Sequence, residues 1–312
     1  MNITQDQIGT IKSDTSLDRV HMGHTEIIYI QQENGLSYAL CTLFQDSRLW
    51  IQSSNNGKDG FVETYKLLNG RVTIEYKGET HVFSEGDILD VVDHDDTFTL
   101  YGDTETDILI TMSQHEFESS FFATRLLQKE AEAIEEVDGY TYMHCHRIKE
   151  YSIELYKKMK LPAEGLSKMN WGAYFHDIGK LAIPYQILNK KSKLTTEEWE
   201  IMKSHTTVGA WMMRNHEISW LKDSAFIVEQ HHERYDGKGY PHGLRGDEIS
   251  IEAAIVTVVD SFDAMTTDRI YRDALSMEEA IDELKMGRGT QFNPKVVDSF
   301  LQLLEERDYI WR

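Results

Sequence analysis

Near residue 115 the hydrophobic pattern of this chain changes its period, and that change restricts the fold to two unlike parts. Upstream, Val72, Ile74 and Tyr76 alternate with polar residues, the period of a half-buried strand. Asn69-Gly70 and Lys77-Gly78 flank that run as turn candidates. Another pair of strands is expected over His81–Phe83 and Ile88–Val92, separated by Ser84-Glu85-Gly86-Asp87. Short strands with close turns point to an antiparallel barrel or sandwich. From about His115 to Val137 the pattern reads as one helix, with Phe117, Phe121, Phe122, Leu126, Leu127, Ala131 and Ile134 on it. It serves as a linker helix over 115–137 or pairs with a second copy of itself. The rest reads as helical. Thr195 to Glu198 and Ser276 to Glu279 are capping boxes, in which hydroxyl and carboxylate each satisfy a free backbone N–H. Asn293-Pro294 supplies an N-cap and a proline at the first helical position, and Gly287 and Gly289 end the helix starting near Met277. The apolar run Ala253–Val259 reads as a buried helix or strand.

Composition narrows the chemistry. Net charge is −21, with 8 basic and 21 acidic residues in 1–125 and 24 and 32 in 126–312. Such a chain has no field to attract long nucleic acids. An anionic substrate requires a local correction, and bound metal ions are often the largest charges in a site. Cys41 and Cys145 fall in different parts, which suits a reducing cytoplasm rather than a disulfide framework. Met1–Asp14 is polar, unlike a signal peptide, and no apolar run approaches the ~20 residues of a membrane span. A cytoplasmic protein without membrane contact is expected.

Eight of the thirteen histidines lie between His144 and His242. His176-Asp177 sits in Phe-His-Asp-Ile-Gly-Lys, His231-His232 in His-His-Glu-Arg-Tyr-Asp-Gly-Lys-Gly-Tyr-Pro, and Asp260 at the polar end of Ala-Ile-Val-Thr-Val-Val-Asp. Mixed imidazole and carboxylate ligands suit iron, manganese, zinc or nickel. A carboxylate can bridge two cations, whereas an imidazole offers one nitrogen, so this is a set suited to two metals ~3.5–4 Å apart. On residues alone, His231-His232 is equally a charged helix end. Isolated His216 and His242 read as core histidines. Cys145, between His144 and His146, has no second cysteine nearby and does not make a closed structural zinc site.

Six ordered motifs carry a resemblance. They are Tyr140-Thr-Tyr-Met-His144-Cys-His-Arg147-Ile, Phe175-His176-Asp177-Ile178-Gly179-Lys180, Lys193-Leu-Thr-Thr-Glu-Glu with Met202-Lys-Ser-His205, His231-His232-Glu233 with Asp236-Gly237 and Gly239-Tyr240-Pro241, Val259-Asp260-Ser-Phe-Asp263-Ala264-Met, and Asp268-Arg269-Ile-Tyr271-Arg272. Together they make residues 138–312 resemble an HD-GYP domain, a subgroup of the HD phosphohydrolases and an all-α fold. The resemblance implies hydrolysis of cyclic di-GMP to pGpG, with further cleavage to GMP left open. It implies two divalent ions, iron or manganese, with zinc and nickel as alternatives. His144, His176, Asp177 and Asp260 would hold one, and Asp177, His205, His231 and His232 the other. Lys180 would join Asp177 in catalysis, approaching the phosphate or leaving oxygen. Arg269 and Arg272 would contact phosphate and guanine, and Tyr240 the substrate. Residue by residue, Arg269 and Arg272 also read as surface ion pairs with Asp268 and Asp273, and Lys180 as a solvated helix end. Gly237, Gly239, Tyr240 and Pro241 shape a loop that in the family contacts substrate or partner domains, including GGDEF-type domains. One position departs from the pattern. Some members carry a glutamate that helps bind a third metal where this chain has Tyr140, so two metals are expected rather than three.

Residues 20–112 more weakly resemble a cupin-like small barrel, through Leu68-Asn-Gly70-Arg-Val72, Lys77-Gly78-Glu79 and Phe83-Ser-Glu-Gly86-Asp87-Ile88. No paired His-x-His follows Gly70, so a metal-free barrel is expected, with His81 and His94 as surface or turn residues. The whole reads as a cupin-like β-barrel over 1–114, a linker helix over 115–137 and an HD-GYP domain over 138–312. The barrel would bind a small-molecule effector, regulate turnover or form a homodimer. Rival readings are a receptor that binds cyclic di-GMP without cleaving it, a phosphodiesterase for another cyclic dinucleotide or a nucleotide monophosphate, and a protein whose barrel carries the function.

Overall fold

The computed structural model describes residues 3–21, 25–45, 48–52, 63–76, 79–90, 97–117, 121, 123–137, 144–162, 165–216, 219–267 and 274–307. They divide into two compact units, Met1–Leu126 and Leu127–Arg312.

The first unit opens with α1 (Gln5–Ser13), a helix the sequence reading did not anticipate. Its capping box pairs Thr4 with Gln7, and Ile8 is its buried residue. Ten strands follow: β1 (Arg19–His21), β2 (Thr25–Glu33), β3 (Leu36–Leu43), β4 (Arg48–Gln52), β5 (Glu63–Leu67), β6 (Arg71–Tyr76), β7 (Glu79–Ser84), β8 (Ile88–Asp90), β9 (Thr97–Gly102) and β10 (Thr106–Ser113). They form two antiparallel sheets, ordered β1-β2-β3-β10-β5-β8 and β4-β9-β6-β7. The unit is all-β, as its alternating pattern requires.

Both faces of the six-stranded sheet are covered, and the period of two sorts its residues between them. Ala39, Cys41, Leu43, Ile108 and Ile110 join Val72, Ile74 and Leu100 of the second sheet in one core. Tyr38, Leu40, Leu109 and Ile28 turn the other way, to Ile8 of α1. The expected strands around His81 and Ile88 are present but are not partners. β7 pairs with β6 and β8 with β5, so Ser84-Glu85-Gly86-Asp87 carries the chain from one sheet to the other. Gly86 N–H donates to the Leu67 carbonyl at 2.9 Å, and Asp87 Oδ2 accepts from Ser84 N–H at 2.8 Å.

The expected linker helix is described as α2 (Gln114–Phe117) and α3 (Ala123–Val137). Phe117 and Phe121 stack at 4.8 Å and lie in the β core beside Tyr29. The first part of that segment therefore belongs to the β unit, and the boundary falls inside α3 rather than at 114 or 137.

The second unit is helical: α4 (His144–Lys158), α5 (Leu166–Tyr174), α6 (Tyr185–Leu188), α7 (Thr196–Lys203), α8 (His205–Arg214), α9 (Ser219–Gln230), α10 (Ile251–Thr266), α11 (Met277–Gly287) and α12 (Pro294–Arg307). Both expected capping boxes form. Glu198 N–H donates to Thr195 Oγ1 at 3.2 Å while Thr195 N–H donates to Glu198 Oε2 at 2.7 Å. Ser276 and Glu279 repeat this at 3.2 and 2.8 Å. Pro294 opens α12, and Asn293 Oδ1 accepts from Lys295 N–H at 3.0 Å. The run Ala253–Val259 lies in α10 and is buried throughout. Among the described residues no helix is long and apolar enough to cross a membrane.

Candidate metal centre

The helix ends of the second unit bring seven side chains together. His144 is the first residue of α4 and His205 the first of α8. His176 and Asp177 follow α5, before a 3₁₀ turn over Ile178–Ala182 that carries Lys180. His231 and His232 follow α9, and Asp260 lies within α10. Two groups result: Asp177, His205, His231 and His232, and His144, His176 and Asp260, with the ligand atoms of each group within 4.8 Å of one another.

Asp177 faces both groups. Its Oδ1 lies 3.4 Å from His205 Nε2 and 3.8 Å from His231 Nε2. Its Oδ2 lies 3.3 Å from His176 Nε2, which is 3.9 Å from Asp260 Oδ1. His144 Nε2 is 3.6 Å from the same Asp260 oxygen.

These atoms are buried without hydrogen-bond partners: His176 Nε2, His205 Nε2, His231 Nε2, Asp177 Oδ1 and Asp260 Oδ1. A buried polar atom left unpaired costs about 1–3 kcal/mol, so five converging on one place call for a ligand that accepts lone pairs. Nitrogen and carboxylate donors fit divalent transition metals. The residues present therefore fit two such ions, with Asp177 able to offer one oxygen to each.

The opposite nitrogens explain the aim of the imidazoles. His176 Nδ1 meets the Ala173 carbonyl at 2.9 Å, His205 Nδ1 that of Met202 at 2.7 Å, and His231 Nδ1 that of Val228 at 2.7 Å. Each carbonyl lies three residues earlier, so the local helix sets the tautomer that leaves Nε2 with its lone pair toward the centre. His144 differs, since its Nδ1 meets Asp263 Oδ2 at 2.7 Å.

Electrostatics follow burial and neighbours. Burial, then adjacent imidazoles, hold His231 and His232 well below the usual histidine range. Burial also lowers His205. His176 is raised to about 9, because Asp177 and Asp260 outweigh the burial that opposes its charge. Burial would raise Asp177, but Lys180 and His176 hold it well below the carboxylate range. Lys180 Nζ lies 2.7 Å from Asp177 Oδ2 and is buried, not at a solvated helix end.

One close approach fixes this geometry. A Cβ on Gly179 would stand 1.9 Å from the His205 carbonyl oxygen, so only glycine lets the turn carrying Asp177 and Lys180 meet the start of α8. Thr257 Oγ1 ties the His231 carbonyl to α10 at 2.7 Å.

A cavity of about 480 Å³ opens beside the centre, within the ~300–1,000 Å³ typical of small-molecule sites. His231, His232 and Asp260 line one part, Trp199 and Tyr240 another, and Lys203, Arg234 and Lys238 bring positive charge. Two of these charges are already paired, Arg234 with Asp236 at 3.0 Å and Lys203 with Glu200 at 2.8 Å. Glu233, buried, shapes the loop that presents Tyr240: its Oε1 accepts from His242 N–H at 2.7 Å and its Oε2 from Leu244 N–H at 3.0 Å. The Tyr240 ring lies 4.9 Å from that of His232, and burial raises its pKa. A Cβ on Gly239 would meet Glu233 Cα at 2.6 Å.

Other expectations divide. Arg269, Arg272, Tyr140 and His94 lie outside the described residues. His242 is not a core histidine but is half exposed and pairs with Glu229 at 3.3 Å. His216 is partly exposed just after α8, away from both groups. His81 is exposed, as expected, and Cys145 is buried and not part of a disulfide. Sequence reasoning gave no role to Asp263, Glu233, Trp199 or Lys203. For Asp263 a signal existed, since it lies one helical turn beyond Asp260 and thus on the same face.

The HD domain family matches residues 125–296. Among curated proteins, a cyclic di-GMP phosphodiesterase of Thermotoga maritima is 40% identical over 175 residues, covering 56% of this chain and 48% of that protein. The cyclic di-GMP phosphodiesterase response regulator RpfG of Xanthomonas campestris is 38% identical over 176 residues, 56% of this chain and 47% of that protein. The 3′3′-cGAMP-specific phosphodiesterase 2 of Vibrio cholerae is 34% identical over 176 residues, 56% of this chain and 34% of that protein. The chain spans about half the length of the first two.

Proposed function

Because the chain belongs to the HD domain family, we propose that it is a metal-dependent phosphodiesterase that hydrolyses cyclic di-GMP to pGpG. The observation that carries this reading is the pair of oxygens of Asp177, one facing His205 and His231 and the other His176. His144, His176, Asp177 and Asp260 would hold one divalent ion, and Asp177, His205, His231 and His232 a second, iron or manganese in this reading, and the pair would supply an activated water and charge to offset the phosphate oxygens. Local hydrogen bonds keep the imidazoles aimed before substrate arrives, so little reorganisation accompanies reaction. Lys180 places a compact positive charge beside Asp177, where it offsets charge developing on the leaving oxygen. Trp199 and Tyr240, with ring centroids 6.2 Å apart and nearly perpendicular, offer faces for a purine base, and Lys203 stands over Tyr240 at 5.9 Å. Arg269 and Arg272 complete the substrate contacts in this reading.

The resemblance to a 3′3′-cGAMP-specific enzyme supports a second substrate reading. Stacking platforms tolerate either purine, so relative turnover decides. Full-length protein loaded anaerobically with Fe(II) or Mn(II) should cleave cyclic di-GMP to pGpG, with products separated by chromatography. Faster cleavage of 3′3′-cGAMP at equal concentration would move the assignment to that substrate, and failure to cleave either would remove it. The β unit, read as a cupin-like regulator responsive to a small molecule or to pairing of two copies, should change that turnover when it is removed.

A further inference from the structure

Of the four histidines whose Nδ1 contacts are described above, three are anchored by a backbone carbonyl three residues earlier and one by a side chain from elsewhere in the chain. We propose that Asp263, clamped by Arg147, is the positioning residue that holds His144 and thereby sets the metal affinity of the His144–His176–Asp260 half separately from the other half. The inference rests on reading the centre as a metal site.

His144 opens α4, and its anchor comes from α10, 119 residues further along the chain. Asp263 Oδ2 meets His144 Nδ1 at 2.7 Å, and the Asp263 side chain is 4% exposed. Arg147, one turn after His144, grips the same carboxylate with two donors: Nε to Oδ1 at 2.6 Å and Nη2 to Oδ2 at 2.9 Å. A two-pronged guanidinium contact fixes the plane of a carboxylate as well as its position. The four residues thus form a closed frame. α4 supplies His144 and Arg147, and α10 supplies Asp260 and Asp263, each pair one turn apart.

A carboxylate that accepts from Nδ1–H does three things for the ring. It fixes the tautomer with the lone pair on Nε2, it holds the ring plane, and its negative charge makes the imidazole a stronger donor. His176, His205 and His231 receive the first two from neutral carbonyls. Only His144, of these four, receives the third. The two halves are therefore built differently: His205 and His231 are aimed by backbone carbonyls, whereas His144 depends on a charged frame that a single substitution can loosen.

The test is Mn(II) titration of the metal-free full-length protein, with free Mn(II) read by electron paramagnetic resonance. Wild type should bind two equivalents. Asp263→Asn should bind one with wild-type affinity and the other about 10- to 100-fold more weakly. Arg147→Lys, which keeps the charge but loses the fork, should weaken the same equivalent by a smaller factor. In a His205→Ala background the remaining tight equivalent should show the full loss on adding Asp263→Asn, which places the effect in the His144 half. Unchanged affinity for both equivalents, or an equal weakening of both, overturns the proposal. Should Asp263→Asn fail to fold, as circular dichroism would reveal, Arg147→Lys carries the same test. Absence of any Mn(II) binding by wild type would instead overturn the metal-centre reading, so the two failures are distinguishable.

Discussion

The β unit has the buried Asp107 and the helical unit the mostly buried Asp177, and the two are treated in opposite ways. Asp107 of the β unit is surrounded by donors: Thr42 Oγ1 and Asn69 Nδ2 each at 2.7 Å, and Lys12 Nζ at 2.8 Å. Its own backbone N–H donates to Asn69 Oδ1 at 2.9 Å. Asp177 of the helical unit has Lys180 on one oxygen and no hydrogen-bond partner on the other, with unpartnered imidazole nitrogens converging on it. A satisfied polar network rigidifies a fold, whereas an unsatisfied one costs stability and persists where function requires it. The first aspartate holds a loop and two strands together. The second keeps its oxygen for something that is not protein.

The largest effect expected from this contrast is on turnover. Asp177→Asn should lower phosphodiester cleavage by about 10³-fold or more, since it removes the group shared by both halves of the centre. Asp107→Asn should leave turnover per folded molecule within a factor of about two, and a 10³-fold loss there would break the contrast. Stability should reverse the order. Asp107→Ala, which takes the acceptor from Thr42 Oγ1 and Asn69 Nδ2 while Lys12 keeps Glu105 at 3.4 Å, should destabilise the β unit by about 2 kcal/mol in urea unfolding. A cost below about 0.5 kcal/mol would show that this network is ornamental.

Chelation separates the units in the same way. Metal at a hundred times its dissociation constant stabilises the state that binds it by about 2.7 kcal/mol. Calorimetry should show the transition of the helical unit falling on adding chelator while that of the β unit stays in place. Movement of both together would mean that the metal site is not confined to the helical unit. The smallest effect belongs to the cavity wall. Trp199→Ala should raise KM for cyclic di-GMP about tenfold, the scale of one lost base–aromatic contact, with kcat nearly unchanged. A fall in kcat with constant KM would place Trp199 in the chemistry instead.

How much of this was legible depended on what sequence patterns encode. Ordered motifs pointed to seven side chains from His144 to Asp260, and the structure brings those seven together. They could be read because each sits within a short local signature, six of them at or near a helix end and Asp260 inside α10. For Asp263 the spacing from Asp260 marked the face it lies on, but not its partner His144, which lies 119 residues away. The same limit applies in the sheets. The alternation in β6 showed that one of its faces is buried, while β7 is exposed apart from the partly buried Phe83, and nothing in either showed that β8 pairs in the other sheet. Phe117 and Phe121 read as one stripe of a linker helix. Periodicity shows that such a stripe is covered without showing what covers it, and here it is the β core. His242 was read as buried by default for an isolated histidine, while the buried carboxylate of Glu233 draws its backbone N–H inward and leaves the ring half exposed against Glu229.

The most direct test of the central claim is product formation from cyclic di-GMP by a single preparation stripped with chelator and then reloaded anaerobically with Fe(II) or Mn(II), beside Asp177→Ala treated identically. The account predicts no product from stripped wild type, pGpG after reloading, and none from the variant in either state. Equal turnover by stripped and reloaded protein, or by the variant, would contradict it.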